Sequence, residues 1–464
     1  MLDKTNLSFD ESAGLWRASD GTTLSYSDGS ATEAYLKEKF SEVQDLSSGS
    51  YALQAQIKDW PSEYHLSRKR AQLLAGFQFD RTKTVLEVGA GCGSISRLLG
   101  ERFDQVISVE GSAARAELAA MRTRDLKTVT VVSAPFQDVK FSRTFDMIFC
   151  IGVLEYSGSF MGSEGDPYAH ALSMFSDLLS ADGVLVLAIE NQFGLKYWAG
   201  CREDHTGRVG DGLEGYNHKP DTVKTFGYNE LKGRLQAHFP NIEFYFPCPD
   251  YKMPSAVLAE KMGDSVSMAG LMANFPACDY GAGPARKTVD EVFVWPQLEK
   301  AGLLPHMANS FLVMASKGAG VLPEMDALGI YYSSGRPMEF ETVTRIVAVD
   351  GNINTQKSLT SGEDSHENGP LTNRSCDDPW VDSTPLHHVA ARILRAKGAT
   401  LGQVFEPLAP WFKAVKAMAD DSGRVPGAAF DAIPRNAFVL DGRVVFVDQE
   451  WQWHKSLDAN TVII

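Results

Sequence analysis

The 464-residue chain has no apolar run approaching the roughly 18 residues that a membrane-crossing helix needs. Its opening stretch, MLDKTNLSFDESAGLW, lacks the basic and apolar regions of a secretory signal. Six cysteines (Cys92, Cys150, Cys201, Cys248, Cys278 and Cys376) lie far apart and form no CxxC pair. That spacing argues against a thiolate zinc motif and against a disulfide framework, so reduced thiols in a cytoplasm are expected. Basic excess is also missing: 44 Lys and Arg face 59 Asp and Glu, a net charge of −15. Nonspecific attraction to nucleic acid or to an anionic membrane is therefore not expected. There is no internal repeat. What remains is an ordinary 44% hydrophobic content, enough for a packed core, in a length that suits roughly two to three domains.

The most informative stretch is Val85-Leu-Glu-Val-Gly-Ala-Gly-Cys-Gly93. An apolar run carries the acid Glu87 and is followed by Gly89, Gly91 and Gly93. Ile95, Leu98, Leu99 and Phe103 then fall at helical spacing. This is a strand, a glycine turn that lets a ligand approach the backbone, and a helix start with free N–H groups. Strands are expected at 84–88, 105–110, 128–133, 145–151, 183–190, 242–246 and 310–315, with helices between them. That alternation predicts a parallel sheet covered on both faces. A helix opened by Pro61 is expected over residues 60–79, and an irregular insertion over 250–287.

The glycine turn discriminates among cofactors. The spacing is GxGxG rather than GxGxxG, and Gly93 is followed by Ser94, so no Walker lysine is present. A carboxylate just before the turn is poorly placed for a pyrophosphate but suits a cationic ligand. A second acid, Glu110, ends the next strand, where a ribose diol would lie. S-adenosylmethionine (SAM) combines an ammonium, a sulfonium and a ribose diol with no phosphate.

Three segments in order, VLEVGAGCG, VISVEGS and FDMIFCIGVLEY, resemble the cofactor motifs of class I SAM-dependent methyltransferases. The resemblance implies a Rossmann-like, seven-stranded domain. It also implies that Glu87, Gly89, Gly91 and Gly93 line the methionine end of SAM and that Glu110 holds the ribose. Residues from Ala134 to Phe136 would flank the adenine, although Pro135 stands where many relatives carry an acid. Cys150 ends the fourth strand. Tyr64 and Arg70, ahead of the glycine turn, would either lid the cofactor near its carboxylate or sit on a surface helix.

WPSEYHLSRKRAQLL, ENQFGLKYWAGCREDHTG, FYFPCPDYKMPSAVLAE and ANSFLVMASKG narrow the resemblance to methyltransferase domains of bacterial surface-polysaccharide clusters, over about residues 50–318. That implies O-methylation of a sugar hydroxyl, with a glycan or glycan precursor as substrate and glycosyltransferases of the same pathway as partners. A hydroxyl acceptor benefits from a general base and in-line positioning. His205 is the expected base, with Glu190 or Asp204 orienting it or serving instead; the alternative is that Glu203-Asp-His-Thr-Gly207 is a helix cap or solvated turn. No metal is expected, because one contiguous acidic cluster offers poor ligand geometry. Glu155 and Tyr156 either face the acceptor or close a loop.

Residues 1–59 are read as an N-terminal extension, 60–318 as the methyltransferase domain, and 319–464 as a smaller α+β domain. The last holds hairpins turning at Asp350-Gly351 and Asp441-Gly442, an exposed polar loop over 360–383, and helices near 386–396 and 408–419. Asp431-x4-Asn436, then Asp448, resembles a phosphotransferase loop, with Lys357 as its nucleotide lysine. Ala429 in place of the usual histidine, Gln449-Glu450 in place of Phe-Gly, and the lack of a Gly-rich loop point to a degenerate kinase-like module. Capped turns in a plain α+β domain are the alternative. The other functional classes left open are a bifunctional methyltransferase–kinase, a small-molecule methyltransferase and a non-catalytic scaffold.

Overall fold

A computed structural model describes residues 2–27, 29–160, 165–217, 223–280, 287–318 and 322–463. The chain divides into two compact units. The first comprises Met1–Glu260, Phe275–Glu291 and Lys300–Asp326, and the second Lys261–Asn274, Val292–Glu299 and Ala327–Ile464. The 318/319 boundary and part of the 250–287 insertion border or include residues outside those described.

The first unit is built on ten strands: β1 (Leu7–Asp10), β2 (Leu15–Ala18), β3 (Thr84–Val88), β4 (Gln105–Glu110), β5 (Val129–Ser133), β6 (Phe145–Ile151), β7 (Leu179–Glu190), β8 (Asn241–Cys248), β9 (Ala256–Ala259) and β10 (Ser310–Ser316). Their order is β1-β2-β5-β4-β3-β6-β7-β10-β8-β9. The strands from β5 to β7 run parallel, while β10 lies antiparallel between β7 and β8. The central strands are apolar without alternation because helices cover both faces, and Val85, Leu86, Ile148, Phe149, Leu185 and Leu187 are fully or nearly fully buried. From β3 the chain passes to β4 and β5 on one side, then returns to β6 and β7 on the other. The carboxyl ends of β3 and β6 therefore flank a topological switch point, where open α/β sheets form their ligand crevice.

Two readings of this unit need correction. The polar lead-in supplies the β1–β2 hairpin, and β2 pairs in parallel with β5. These strands are only four residues long, too short for a periodic signal to stand out. The single helix expected over 60–79 is two helices, Trp60–Leu66 and Lys69–Ala75. The first opens with a capping box between Asp59 and Ser62, and extended backbone at Ser67 ends it.

In the second unit, β11 (Gly329–Tyr332), β12 (Thr342–Val349), β13 (Asn352–Leu359) and β16 (Cys376–Pro379) form an antiparallel sheet, with β14 (Ser365–Asn368) and β15 (Leu371–Arg374) between β13 and β16 in the chain. The segment 360–383, read as a loop, thus contains three short strands. Their polar sequences pair on backbone hydrogen bonds and bury little side-chain area, which hid them. Helices Leu386–Leu394 and Ala409–Ala417 pack Leu386, Trp411 and Val415 into a small core with Val425, Ala437 and Val462. Both expected hairpin turns form, with positive φ at Asp350, Gly351, Asp441 and Gly442.

Candidate active site

The glycine turn after β3 is shaped by backbone conformations that favour glycine. Gly89, Gly91 and Gly93 have φ of 78°, 56° and 85°. A Cβ on Gly89 would run into Val153 of the loop after β6, and one on Gly93 would lie 2.7 Å from the Ala119 Cα. The turn is tied to the next strand by Glu110, whose carboxylate accepts from the N–H of Gly91 at 2.7 Å and of Ser112 at 2.9 Å. Glu87 lies deeper. Its carboxylate accepts from Ser96 Oγ at 2.5 Å, and burial pushes its pKa up to about 7.

A cavity of about 390 Å³ opens over this turn. Among the residues named from sequence, Glu87, Gly89, Gly91, Glu110, Phe136, Tyr64, Arg70, Glu155, Tyr156, Asp204 and His205 line it. Gly93, Ala134 and Cys150 do not. Gly93 is the left-handed cap that starts the helix Ser94–Arg102, Ala134 is buried after β5, and Cys150 sits inside the sheet, where burial raises its thiol pKa far above the ordinary value. Glu190 is fully buried at the end of β7, behind the wall.

Several wall residues carried no sequence signal. Leu24 and Tyr26 cross the cavity from the N-terminal segment, held by the Leu24 N–H donating to the Gly111 carbonyl at 2.8 Å. The Tyr26 and Tyr156 hydroxyls lie 3.2 Å apart, and the Arg115 guanidinium sits 4.7 Å over the Tyr26 ring. Arg70 stacks on Tyr64 at 4.4 Å and donates to the Lys252 carbonyl at 2.9 Å, while its Nε is buried with no partner. A glycine turn exposed to the cavity, two acids at successive strand ends and a buried guanidinium N–H left over for a carboxylate are what SAM requires. The residues present fit that cofactor.

On the other side of the cavity the acidic cluster is divided. Glu203, not Glu190 or Asp204, orients His205: its Oε1 lies 2.9 Å from His205 Nδ1, and its Oε2 accepts from the backbone N–H groups of His205 and Thr206. His205 Nε2 faces Glu155 Oε1 at 3.7 Å and Glu190 Oε2 at 3.9 Å. Burial works against charge on this imidazole, but the Glu190, Glu155 and Glu203 carboxylates outweigh it and hold its pKa well above the ordinary value. Asp204 turns away to Lys196 at 2.7 Å and Lys252 at 2.9 Å, and the Tyr197 hydroxyl donates to it at 2.5 Å. Burial alone would raise the Asp204 pKa; the two ammonium groups reverse that and hold it far below the usual carboxylate range. Lys252 also pairs with Glu190, whose Oε1 accepts from the Tyr251 hydroxyl at 3.3 Å. Asn191 is structural, its side chain donating to the carbonyls of His306 and Ala308. Tyr197 is buried and Trp198 exposed, and neither lines the cavity, whose aromatic wall includes Tyr26, Trp60, Tyr64 and Tyr156.

The protein-family model of a methyltransferase domain matches residues 86–187, the span from β3 through most of β7. The chain carries a class I SAM-dependent methyltransferase domain. SAM is its cofactor, and the chain is an enzyme of the methyltransferase class. Solved structures similar to this methyltransferase include a SAM-dependent methyltransferase from Mesorhizobium loti, 16% identical over 53% of this chain and 95% of its own, with a TM-score of 0.31. Another is the N-methyltransferase NodS from Bradyrhizobium japonicum WM9 in complex with S-adenosyl-L-homocysteine, 16% identical over 36% and 77% of the two chains, with a TM-score of 0.25. No curated protein matches the chain.

In the second unit, Lys357 on β13 pairs with Asp448 and, at 3.0 Å, with Glu450. Arg336 forks onto both oxygens of Glu450 at 3.0 and 2.6 Å. Asn436 and Gln449 donate to the Asp431 backbone carbonyl, and burial beside Asp448 and Glu450 pushes the Asp431 carboxyl up to about 7.

Proposed function

We propose that the chain is an O-methyltransferase whose acceptor is a sugar hydroxyl of a bacterial surface polysaccharide or of its lipid- or nucleotide-linked precursor, acting in the cytoplasm beside the glycosyltransferases of that pathway. The observation that carries this reading is the make-up of the cavity beyond the glycine turn. Carboxylates and an oriented histidine stand next to tyrosine and tryptophan rings, the combination that recognises a hydroxylated, ring-shaped acceptor. Among the described residues no helix is long and apolar enough to cross a membrane, in keeping with a cytoplasmic site of action.

Bound SAM supplies an electrophilic methyl group on a sulfonium. Glu87 and Arg70 bind its ammonium and carboxylate, and Glu110 its ribose. His205, held by Glu203, orients the acceptor hydroxyl and Glu155 takes its proton, while Tyr26 and Tyr156 exclude water. The test is incubation with labelled SAM and either nucleotide sugars or lipid-linked glycan, with the product located by mass spectrometry. A methyl ether on a sugar hydroxyl is expected. Methylation confined to an amine, or to no glycan at all, would overturn the acceptor assignment.

A second reading is favoured by one specific observation: Lys357, Asp448 and Asp431, far apart in sequence, converge in the second unit. That arrangement supports a phosphotransferase-like site, active or degenerate. Calorimetry with Mg²⁺-ATP tests it. Binding that disappears in Asp448→Ala supports a nucleotide site, and silence leaves a structural ion-pair cluster.

A further inference from the structure

Glu155, Glu190 and His205 come from three different segments: the loop after β6, the end of β7 and the loop beyond it. One ligand atom from each lies within 4.8 Å of the other two. Metal–ligand bonds of about 2.0–2.4 Å put neighbouring donors about 3 Å apart and opposite ones about 4–5 Å apart, so this spacing is that of donors around one small cation. The distances from His205 Nε2 to Glu155 and Glu190, 3.7 and 3.9 Å, are too long for hydrogen bonds.

Two further observations point to a ligand. Glu155 Oε2 and Glu190 Oε2 are both buried without a hydrogen-bond partner, on side chains that are 1% and 0% exposed. A buried carboxylate oxygen left unpaired is costly unless something neutralises it. The nearby lysines are engaged elsewhere, Lys196 with Asp204 and Asp250 and Lys252 with Asp204 and Glu190 Oε1; a proton on His205 can balance one of the two carboxylates, and a bound cation would take that proton's place. Secondly, Glu203 grips His205 Nδ1 at 2.9 Å and is itself fixed by two backbone N–H groups. A carboxylate on one ring nitrogen directs the lone pair of the other outward, the arrangement that orients metal-bound histidines.

We propose that Glu155, Glu190 and His205 bind a divalent cation of the Mg²⁺ or Mn²⁺ class, which holds the acceptor hydroxyl beside the methyl donor. Two carboxylates and one imidazole suit these oxygen-preferring ions, and three protein ligands leave positions open for an acceptor oxygen. Both Glu155 and His205 face the cavity that Gly89 and Glu110 line. The acceptor role rests on the hydroxyl reading above; the cation site itself does not. In the transfer, the coordinated hydroxyl gives its proton to the oxygen of Glu155 that the cation does not take. An oxygen lone pair then forms the bond to the methyl carbon, and the carbon–sulfur pair returns to sulfur, leaving the neutral thioether S-adenosylhomocysteine.

The test is Mn²⁺ titration of the chelator-treated full chain, followed by electron paramagnetic resonance with Mg²⁺ as competitor and without SAM or acceptor. One Mn²⁺ per chain is expected. Glu155→Gln and Glu190→Gln should weaken it by at least about tenfold, and Glu203→Gln by about tenfold through His205, with SAM affinity unchanged in calorimetry as the check on folding. No Mn²⁺ bound by the wild type, or equal binding by both ligand variants, overturns the cation site while SAM binding still stands. Cation binding accompanied by methylation of an amine would instead keep the site and overturn the hydroxyl reading.

Discussion

The Gly91 N–H donates to Glu110 Oε2 at 2.7 Å, so the acid that ends β4 holds the glycine turn that follows β3. One side chain thus both shapes the turn and lines the cavity above it. Glu110→Ala removes the acceptor of two backbone donors as well as the proposed ribose ligand, and SAM affinity should fall by at least about tenfold, which calorimetry measures. Unchanged affinity would remove Glu110 from the cofactor site.

The glycines of the turn should differ in tolerance. At Gly93 an alanine adds overpacking against the Ala119 backbone to the cost of its positive φ, so Gly93→Ala should lose about 2–4 kcal/mol of stability. At Gly91 the neighbour is the far end of Arg115, 3.1 Å away, which can move; Gly91→Ala should lose only about 1 kcal/mol. Urea unfolding with and without SAM ranks the two, and equal losses would contradict the packing described.

Glu87 makes the fold and the cofactor respond oppositely to pH. Its folded pKa of about 7 is above the ordinary 4.5, so the cofactor-free protein retains a proton that the unfolded chain has lost. Stability should therefore fall as pH rises from about 4.5 to about 7 and then level off. SAM prefers the ionised carboxylate, so its affinity should rise across the upper part of that range. Thermal unfolding between pH 5.5 and 7.5, with and without SAM, checks both signs. Glu87→Gln should flatten both curves.

Lys357 is buried between Asp448 and Glu450. Lys357→Met leaves the buried Glu450 to Arg336 and Asn373 and removes the ammonium from the half-exposed Asp448. A loss of about 1 kcal/mol is expected in the second unit, read as weakened hydrogen-exchange protection across β12 and β13. Unchanged protection would show that the ion pair is dispensable.

The donor half of the site was legible because its signal is local. Glu87, the three glycines and Glu110 sit at strand ends that hydrophobic periodicity marks, and the strands fall close to their expected bounds. The acceptor half depends on strand order, which periodicity does not carry. Glu155 reaches His205 because β6 and β7 are neighbours, and Lys252 reaches Glu190 because β10 and β8 fold back beside β7. Reading Glu203-Asp204-His205 as one contiguous group obscured its division, since adjacent side chains in a tight turn point apart. The Leu24–Tyr26 wall and the β1–β2 edge were missed because short polar segments offer no period.

Arg70 is anchored by the carbonyl of Lys252, 182 positions further along the chain. During synthesis, the strands and glycine turn between residues 84 and 151 can assemble well before the segment that secures Arg70 and brings Lys252 to Glu190 exists. β10, which pairs with both β7 and β8, emerges later still, so the sheet itself is complete only after residue 316 has been made. The glycine turn and the wall opposite it are thus completed at different chain lengths, and the side chain that joins them waits for the later one.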